Sequence, residues 1–260
     1  MLDLIQITND PALARRCDAL EGLRLFVDLE RLGKAERQAG RNTFISTHQL
    51  EDVGRIRAEL RQSRLMVRVN PLHEGTTQEV ADAIAQGADL LMLPVFHDAA
   101  TLREFARIVD GRRPIVPLLE TAGALETLPQ WIATPGLWEV FVGLNDLHLS
   151  MGLRFMFEPL AQGLVDRVAE AARAHGLRFG FGGIARLDEG LLPGRRVLGE
   201  HLRLGSGAVI LSRTFHRPDS EAVFEHEVEA LRRAERELAA RDAARVAQDA
   251  RETADAIRAI

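Results

Sequence analysis

Arg113-Pro-Ile-Val-Pro-Leu-Leu-Glu120 and Trp138-Glu-Val-Phe-Val-Gly-Leu-Asn-Asp146 are apolar, strand-like runs that each end in a carboxylate. Runs of the same kind recur along the chain, and eight of them read as strands: residues 2–8, 24–30, 64–70, 89–95, 114–120, 139–146, 178–184 and 208–212. Between them lie amphipathic, Ala/Arg/Glu-rich stretches such as 50–61, 77–86, 99–110 and 160–175, with Gly87 and Gly176 placed as helix stops. Strands that alternate with helices build a parallel sheet by repeated βα units. Eight such units in 260 residues predict an α/β protein of the TIM (β/α)8 barrel class, whose usual size is about 250 residues. An open doubly wound sheet would carry a Gly-x-Gly-x-x-Gly turn after its first strand, and this chain has none. In a barrel, strand ends converge on one rim, so Glu120 and Asp146 are placed to share one divalent cation.

Two segments fall outside the eight units. A short run at 42–46 reads as a loop strand over the rim that carries the acids. From about residue 219 to 260 the composition turns to Ala, Arg and Glu without Gly or Pro, which predicts one or two long helices. The domain division is therefore a barrel at 1–218 and a C-terminal helical extension at 219–260. Phe224, Val228, Leu231 and Leu238, then Val246, Ala250, Thr253, Ile257 and Ile260, recur at three-to-four spacing as one apolar seam. That seam either closes the barrel or packs on another subunit, and periodicity alone leaves both open.

A formal charge of −5 and a pI near 5.9 give no basic stripe, so nucleic acid is not an expected partner. Cys17 is the one cysteine, which rules out an internal disulfide framework and suits a reducing, cytoplasmic compartment. It falls in a helix-like stretch and reads as a packing residue. The opening Met-Leu-Asp-Leu-Ile-Gln-Ile-Thr carries no basic leader and reads as no secretion signal. No run approaches the ~20 apolar residues of a membrane span, so a soluble protein with no membrane partner is expected.

The polar residues at strand ends are Asp28, Glu30, Arg68, Asn70, Glu120, Asn145 and Asp146, with Arg186 and Arg213 just beyond later strands. Singly, each acid reads as a helix cap or a loop ion pair. Together, two carboxylates with water and a chelating ligand suit a hard cation, Mg²⁺ or Mn²⁺. Arg68 would face that ion from a neighbouring strand and stabilise negative charge as it develops. Phe179-Gly-Phe-Gly-Gly-Ile-Ala-Arg186 admits two readings: Gly182 and Gly183 let backbone amides approach an anion, or barrel closure requires the small residues. In the first, Arg186, Arg213 and Arg31 clamp a distal carboxylate or phosphate. In the second, these arginines pair with rim acids. His48, His73, His97 and His148 contain no short ligand pair, which argues against a histidine zinc centre.

Asp28-Leu-Glu30, Val67-Arg-Val-Asn-Pro71, Gly87-Ala-Asp-Leu-Leu-Met-Leu-Pro94, Leu118-Leu-Glu-Thr121 and Phe141-Val-Gly-Leu-Asn-Asp-Leu147, with Ser150 and Gly152, resemble the HpcH/HpaI aldolase and citrate lyase β-subunit family in family order. The resemblance covers about residues 23–152. It implies a phosphoenolpyruvate/pyruvate-type barrel that binds a 2-oxoacid on Mg²⁺ or Mn²⁺. By motif, Glu120 and Asp146 become the metal ligands, Arg68 the enolate-stabilising arginine, Glu30 an acid near metal-bound water, and Asn70 a substrate contact. A homo-oligomer, trimer or hexamer, is the expected assembly.

Two departures stand out. The family's aldolases have a histidine after the acid that aligns with Glu30, where this chain has Arg31. His48, in Phe44-Ile-Ser-Thr-His48, is the replacement base to test, and His73 and His148 also follow strand ends; the plainer reading of each is a solvated loop histidine. Leu118 stands where a glutamine often precedes the metal-binding glutamate. The expected function is a metal-dependent carbon-carbon lyase acting on a 4-hydroxy-2-oxoacid through a pyruvate enolate. One alternative is a citrate lyase-like or malyl-CoA-like lyase on an acyl thioester, which Arg68-Val-Asn-Pro71 favours. A catalytically weak barrel that binds an anion or serves assembly is the alternative of another class.

Overall fold

Strand residues of this chain alternate between two apolar environments, and that alternation defines the architecture. A computed structural model of the chain describes residues 1–33, 46–216 and 222–260. Eight strands, β1 (Asp3–Ile7), β2 (Leu23–Asp28), β3 (Leu65–Arg68), β4 (Leu90–Leu93), β5 (Ile115–Leu119), β6 (Glu139–Val142), β7 (Arg178–Ile184) and β8 (Ala208–Leu211), run parallel in sequence order. β8 pairs back onto β1 and closes the barrel. Ile5, Phe26, Met66, Met92, Val116, Leu118, Phe141 and Ala208 form the cluster inside it. The residues between them, among them Leu4, Leu25, Val27, Leu65, Val67, Leu91 and Val140, join the outer core under the helices. A period of two with both faces buried is what a closed parallel sheet demands.

The helical layer follows the predicted stretches: α1 (Pro11–Asp18), α2 (Leu50–Glu59), α3 (Thr76–Ala85), α4 (Ala99–Val109), α5 (Ala122–Glu126), α6 (Leu128–Trp131), α7 (Leu144–Ser150), α8 (Glu158–Ala161), α9 (Leu164–Ala174) and α10 (Gly194–Leu204). Asp10 and Asp98 cap α1 and α4 by accepting backbone N–H bonds. The helix expected at 160–175 is two helices, because Gly163 takes a left-handed conformation between α8 and α9. The loop strand expected at 42–46 lies, apart from Ser46, outside the described residues.

After β8 come α11 (Ala222–Ala239) and α12 (Ala243–Arg258). α11 packs beside α10, and its Glu225 receives two 2.7 Å bonds from Arg16 of α1. Farther along the helix, Glu235 accepts the Leu2 N–H and Arg232 donates to the Leu2 carbonyl. This first half of the apolar seam, Phe224, Val228 and Leu231, is buried within the chain itself. α12 turns back over α8 and α10 and buries Thr253 and Ile257, while Ile260 stays exposed. Cys17 is buried in α1, and burial raises its thiol to about 12, in keeping with a packing role. No described helix is long and apolar enough to cross a membrane.

At the N-terminal end of the barrel the strands bring together a charged plug. Arg24 donates to Glu139 at 2.6 and 3.0 Å and to Asp3 at 2.7 Å, and Arg178 donates to the same two acids at 3.1 and 2.7 Å. The Trp138 ring lies 4.8–5.0 Å from the guanidinium carbons of Arg24, Arg64 and Arg178.

Candidate active site

At the opposite end, alternation along β2 sends Asp28 and, two residues on, Glu30 toward the barrel axis. Asp28 and Arg68 are register partners in the β2–β3 pair, so their side chains meet. Arg68 Nε and Nη2 each donate to an Asp28 oxygen at 2.9 Å, a bidentate pair. Nη1 lies 3.3 Å from Glu30 Oε2, and both acids are buried. Burial alone would lower the Arg68 pKa, but Asp28, Glu30 and Glu120 more than offset it and hold the guanidinium charged.

Glu120 follows β5 directly and is buried. Its Oε1 accepts the Val95 N–H at 2.9 Å. Asp146 corrects the sequence reading: β6 ends at Val142, and Asp146 is in the first turn of α7 rather than at a strand end. Gly143 still donates its N–H to the Leu119 carbonyl of β5 at 2.9 Å and serves as the helix N-cap. Leu144, Leu147 and His148 then bury one helical face, so the apolar run that reads as continuous strand changes period at Gly143. An acid in the first turn also suits the helix dipole.

Desolvation, with the charges of Asp146 and Glu30 added, raises the Glu120 carboxyl to about 8 against the pull of Arg68 and the Val95 N–H. The sign of the pH effect follows. An acid with a raised folded pKa contributes stability below about 4.5, its unperturbed value, and that stability is lost as pH rises through about 8. With a chelator present, the melting temperature is expected to fall between pH 5 and 8, and Glu120→Gln to flatten that slope.

The remaining predicted residues divide into those that brace this cluster and those that lie away from it. His48 is buried; its Nδ1 accepts the Asp28 N–H at 3.1 Å, which places the ring proton on Nε2. Arg31 is exposed and donates to the His48 carbonyl. Asn70 uses its carbonyl to accept the N–H groups of Arg31 and Leu32 and its amide to reach Glu79, so it clasps the β2 loop. His73 pairs with Glu79 at 3.1 Å and His148 with the Leu144 carbonyl, both apart from the acids. Gly182, at φ +52°, would put a Cβ 2.9 Å from Leu144, and Gly183 marks the register shift between β7 and β8. The positive φ and the Leu144 contact both favour glycine at 182. Arg186 is directed at Glu189 and Glu227, 3.8 and 3.9 Å away, the latter on α11. Arg213 is exposed in the turn Arg213–His216.

Two contacts of the cluster escape a reading by motif. Asp28 is legible as the alternate partner of Glu30, but only the strand register shows that it holds Arg68. Val95 contributes a backbone donor and leaves no mark in the sequence.

Three carboxylates, Asp28, Glu30 and Glu120, thus act on one buried guanidinium, and a fourth, Asp146, acts on Glu120. That excess of negative charge, and the displaced Glu120 pKa in particular, is what a bound divalent cation would relieve, so the donor set fits one. Among the described residues no three His, Cys, Asp or Glu side chains converge as a metal cage. Two carboxylates would leave the rest of the shell to water and substrate.

The barrel has counterparts among known proteins. Crystal structures with the same fold include an HpcH/HpaI aldolase/citrate lyase family protein from Burkholderia cenocepacia, 17% identical over 91% of this chain and 95% of that one, TM-score 0.63. Another is the M. tuberculosis citrate lyase β subunit complexed with oxaloacetate and magnesium, 18% identical over 90% of this chain and 97% of that one, TM-score 0.62. In sequence, a (3S)-malyl-CoA thioesterase of Cereibacter sphaeroides is 32% identical over 114 residues, 43% of this chain and 40% of the relative, so less than half of that protein is matched. The sequence profile of HpcH/HpaI aldolases and citrate lyases matches residues 8–182, a span that holds every member of the acid cluster and Arg68. That match covers more than half of the chain, and the chain belongs to the HpcH/HpaI aldolase/citrate lyase family.

Proposed function

We propose that this chain is a carbon-carbon lyase that breaks or makes the C3–C4 bond of a 4-hydroxy-2-oxoacid through a pyruvate enolate. The observation that carries the reading is the Arg68 guanidinium held in a fixed orientation by Asp28 beside Glu30 and Glu120, with the Asp146 charge acting on Glu120. Glu120 and Asp146 are the residues that would hold Mg²⁺ or Mn²⁺, which supplies a Lewis acid for the 2-oxo group.

Arg68 provides fixed positive charge. Its two bonds to Asp28 keep the guanidinium from rotating, so it meets the negative charge that develops on the enolate oxygen without reorganisation. Being held charged, it stabilises rather than transfers protons. For cleavage, a base takes the 4-hydroxyl proton, the C3–C4 pair moves to C3, the aldehyde leaves, and C3 is then protonated. We assign the base to Glu30, buried and 3.3 Å from Arg68. His48 Nδ1 is occupied by the Asp28 N–H, so we assign His48 to fixing the end of β2.

The test is pyruvate release from a panel of 4-hydroxy-2-oxoacids, with Mn²⁺ and with chelator. Glu120→Gln and Asp146→Asn are each expected to lower kcat by about a hundredfold or more. Turnover that survives both the chelator and the two substitutions would overturn the metal assignment. The matched malyl-CoA thioesterase favours a second reading, an acyl-thioester substrate. Thiol release from malyl-CoA, with no pyruvate from the first panel, selects it. Binding of oxalate without turnover of either panel would leave an anion-binding barrel.

A further inference from the structure

The connection from β4 to α4 passes through a conformation its sequence does not favour. Val95 sits at φ +47°, in the left-handed region where a β-branched side chain crowds the backbone. Strain of this kind persists where neighbouring structure over-determines it, and here the neighbours follow Glu120 in the chain. Thr121 Oγ1 donates to the Phe96 carbonyl at 2.7 Å, and the Phe96 ring meets Trp131 edge-on with centroids 5.2 Å apart. A Cβ on Gly123 would stand 2.8 Å from the His97 carbonyl, so α5 and this loop are in close contact. Residues 96 and 97 are thus pinned, and Val95 is left in the one orientation that brings its N–H to Glu120 Oε1 at 2.9 Å.

The other carboxylate oxygen meets a second backbone constraint. A Cβ on Gly143 would lie 3.0 Å from Glu120 Oε2 and 3.0 Å from Glu120 Cβ, tighter than ordinary contact. Gly143 is also the N-cap of α7, the helix that carries Asp146. One bare Cα therefore leaves room for Glu120 and begins the element that presents Asp146.

We propose that Val95 and Gly143 are positioning residues that clamp the Glu120 carboxylate: the Val95 N–H holds Oε1, Gly143 makes room for Oε2, and the orientation so fixed is the one a divalent cation meets. This rests on the reading of Glu120 as a metal ligand.

Mn²⁺ affinity of the metal-free protein, measured without substrate by calorimetry and by electron paramagnetic resonance, tests it. Replacing the Val95 amide with the ester of its hydroxy-acid analogue deletes the N–H and keeps the side chain. Affinity is expected to weaken by about 10–100-fold, the usual effect of losing a partner that orients a ligand, with the melting temperature little changed. Val95→Gly keeps the donor and accepts the positive φ, so it is expected to hold Mn²⁺ within about threefold of the parent protein. Gly143→Ala is expected to weaken Mn²⁺ at least as much as the ester, with Glu120 displaced in its crystal structure. An ester variant that binds Mn²⁺ as tightly as the parent, while Glu120→Gln does not, overturns the clamp and leaves the metal reading standing. Unchanged Mn²⁺ binding in Glu120→Gln overturns both.

Discussion

Arg68→Met is expected to destabilise the protein by roughly 3–5 kcal/mol at neutral pH, the size found when one partner of a buried ion pair is removed and the other is left uncompensated. The loss is large because of what remains. Asp28 is buried and loses both of its guanidinium bonds, Glu30 loses its contact at 3.3 Å, and Glu120 loses the charge that offsets its burial. Urea melts against pH are the measurement. The deficit is expected to shrink as pH falls and the orphaned carboxylates take up protons, whereas deletion of simple packing volume would leave it flat. Asp28→Asn combined with Arg68→Met is expected to recover part of the loss, because the neutral amide needs no counter-charge. Below the melting temperature, kcat is expected to fall by about 10²–10³. A stability change under about 1 kcal/mol with no pH dependence would show that Arg68 is not the keystone of the cluster.

The sequence makes most of the barrel legible because both faces of every strand are buried. A run such as 178–184 then has one consistent reading, and β7 spans Arg178–Ile184 as expected. Six other strands stop one or two residues short of the predicted C-terminal limit, and β6 stops four short. Asp146 shows where local pattern fails: Val-Gly-Leu-Asn-Asp continues an apolar run, and nothing local distinguishes its last strand residue from the first turn of α7. In the acid cluster, Glu30, Arg68 and Glu120 are readable as polar residues that interrupt apolar runs at their ends. The contacts they make are not. The Asp28–Arg68 bond is a consequence of strand register, and the Val95 donor of a backbone angle that a β-branched residue rarely adopts. The histidine missing beside Glu30 suggests His48 as a substitute, and only the Asp28 N–H bond shows its acceptor nitrogen to be committed.

The plug at the N-terminal end is the part least visible in advance, because Asp3, Arg24, Glu139 and Arg178 come from four strands that only closure brings together. Glu139 has no exposed surface and Arg24 almost none. Arg24→Met is therefore expected to cost roughly 3–5 kcal/mol by leaving Glu139 buried beside Arg178 alone. Arg24 and Asp28 are four residues apart on β2, about 13 Å at strand rise, so kcat at a permissive temperature is expected to stay near that of the parent protein. Arg24→Met with Glu139→Leu is the discriminating variant. A buried pair replaced whole by apolar side chains is often neutral or stabilising, so the double substitution is expected to return most of the lost stability if the plug only closes the barrel. If the double variant is as unstable as the single one, the charges are instead needed to set strand register, and kcat would then fall with stability, because the Asp28–Arg68 pair depends on that same register at the far end of β2.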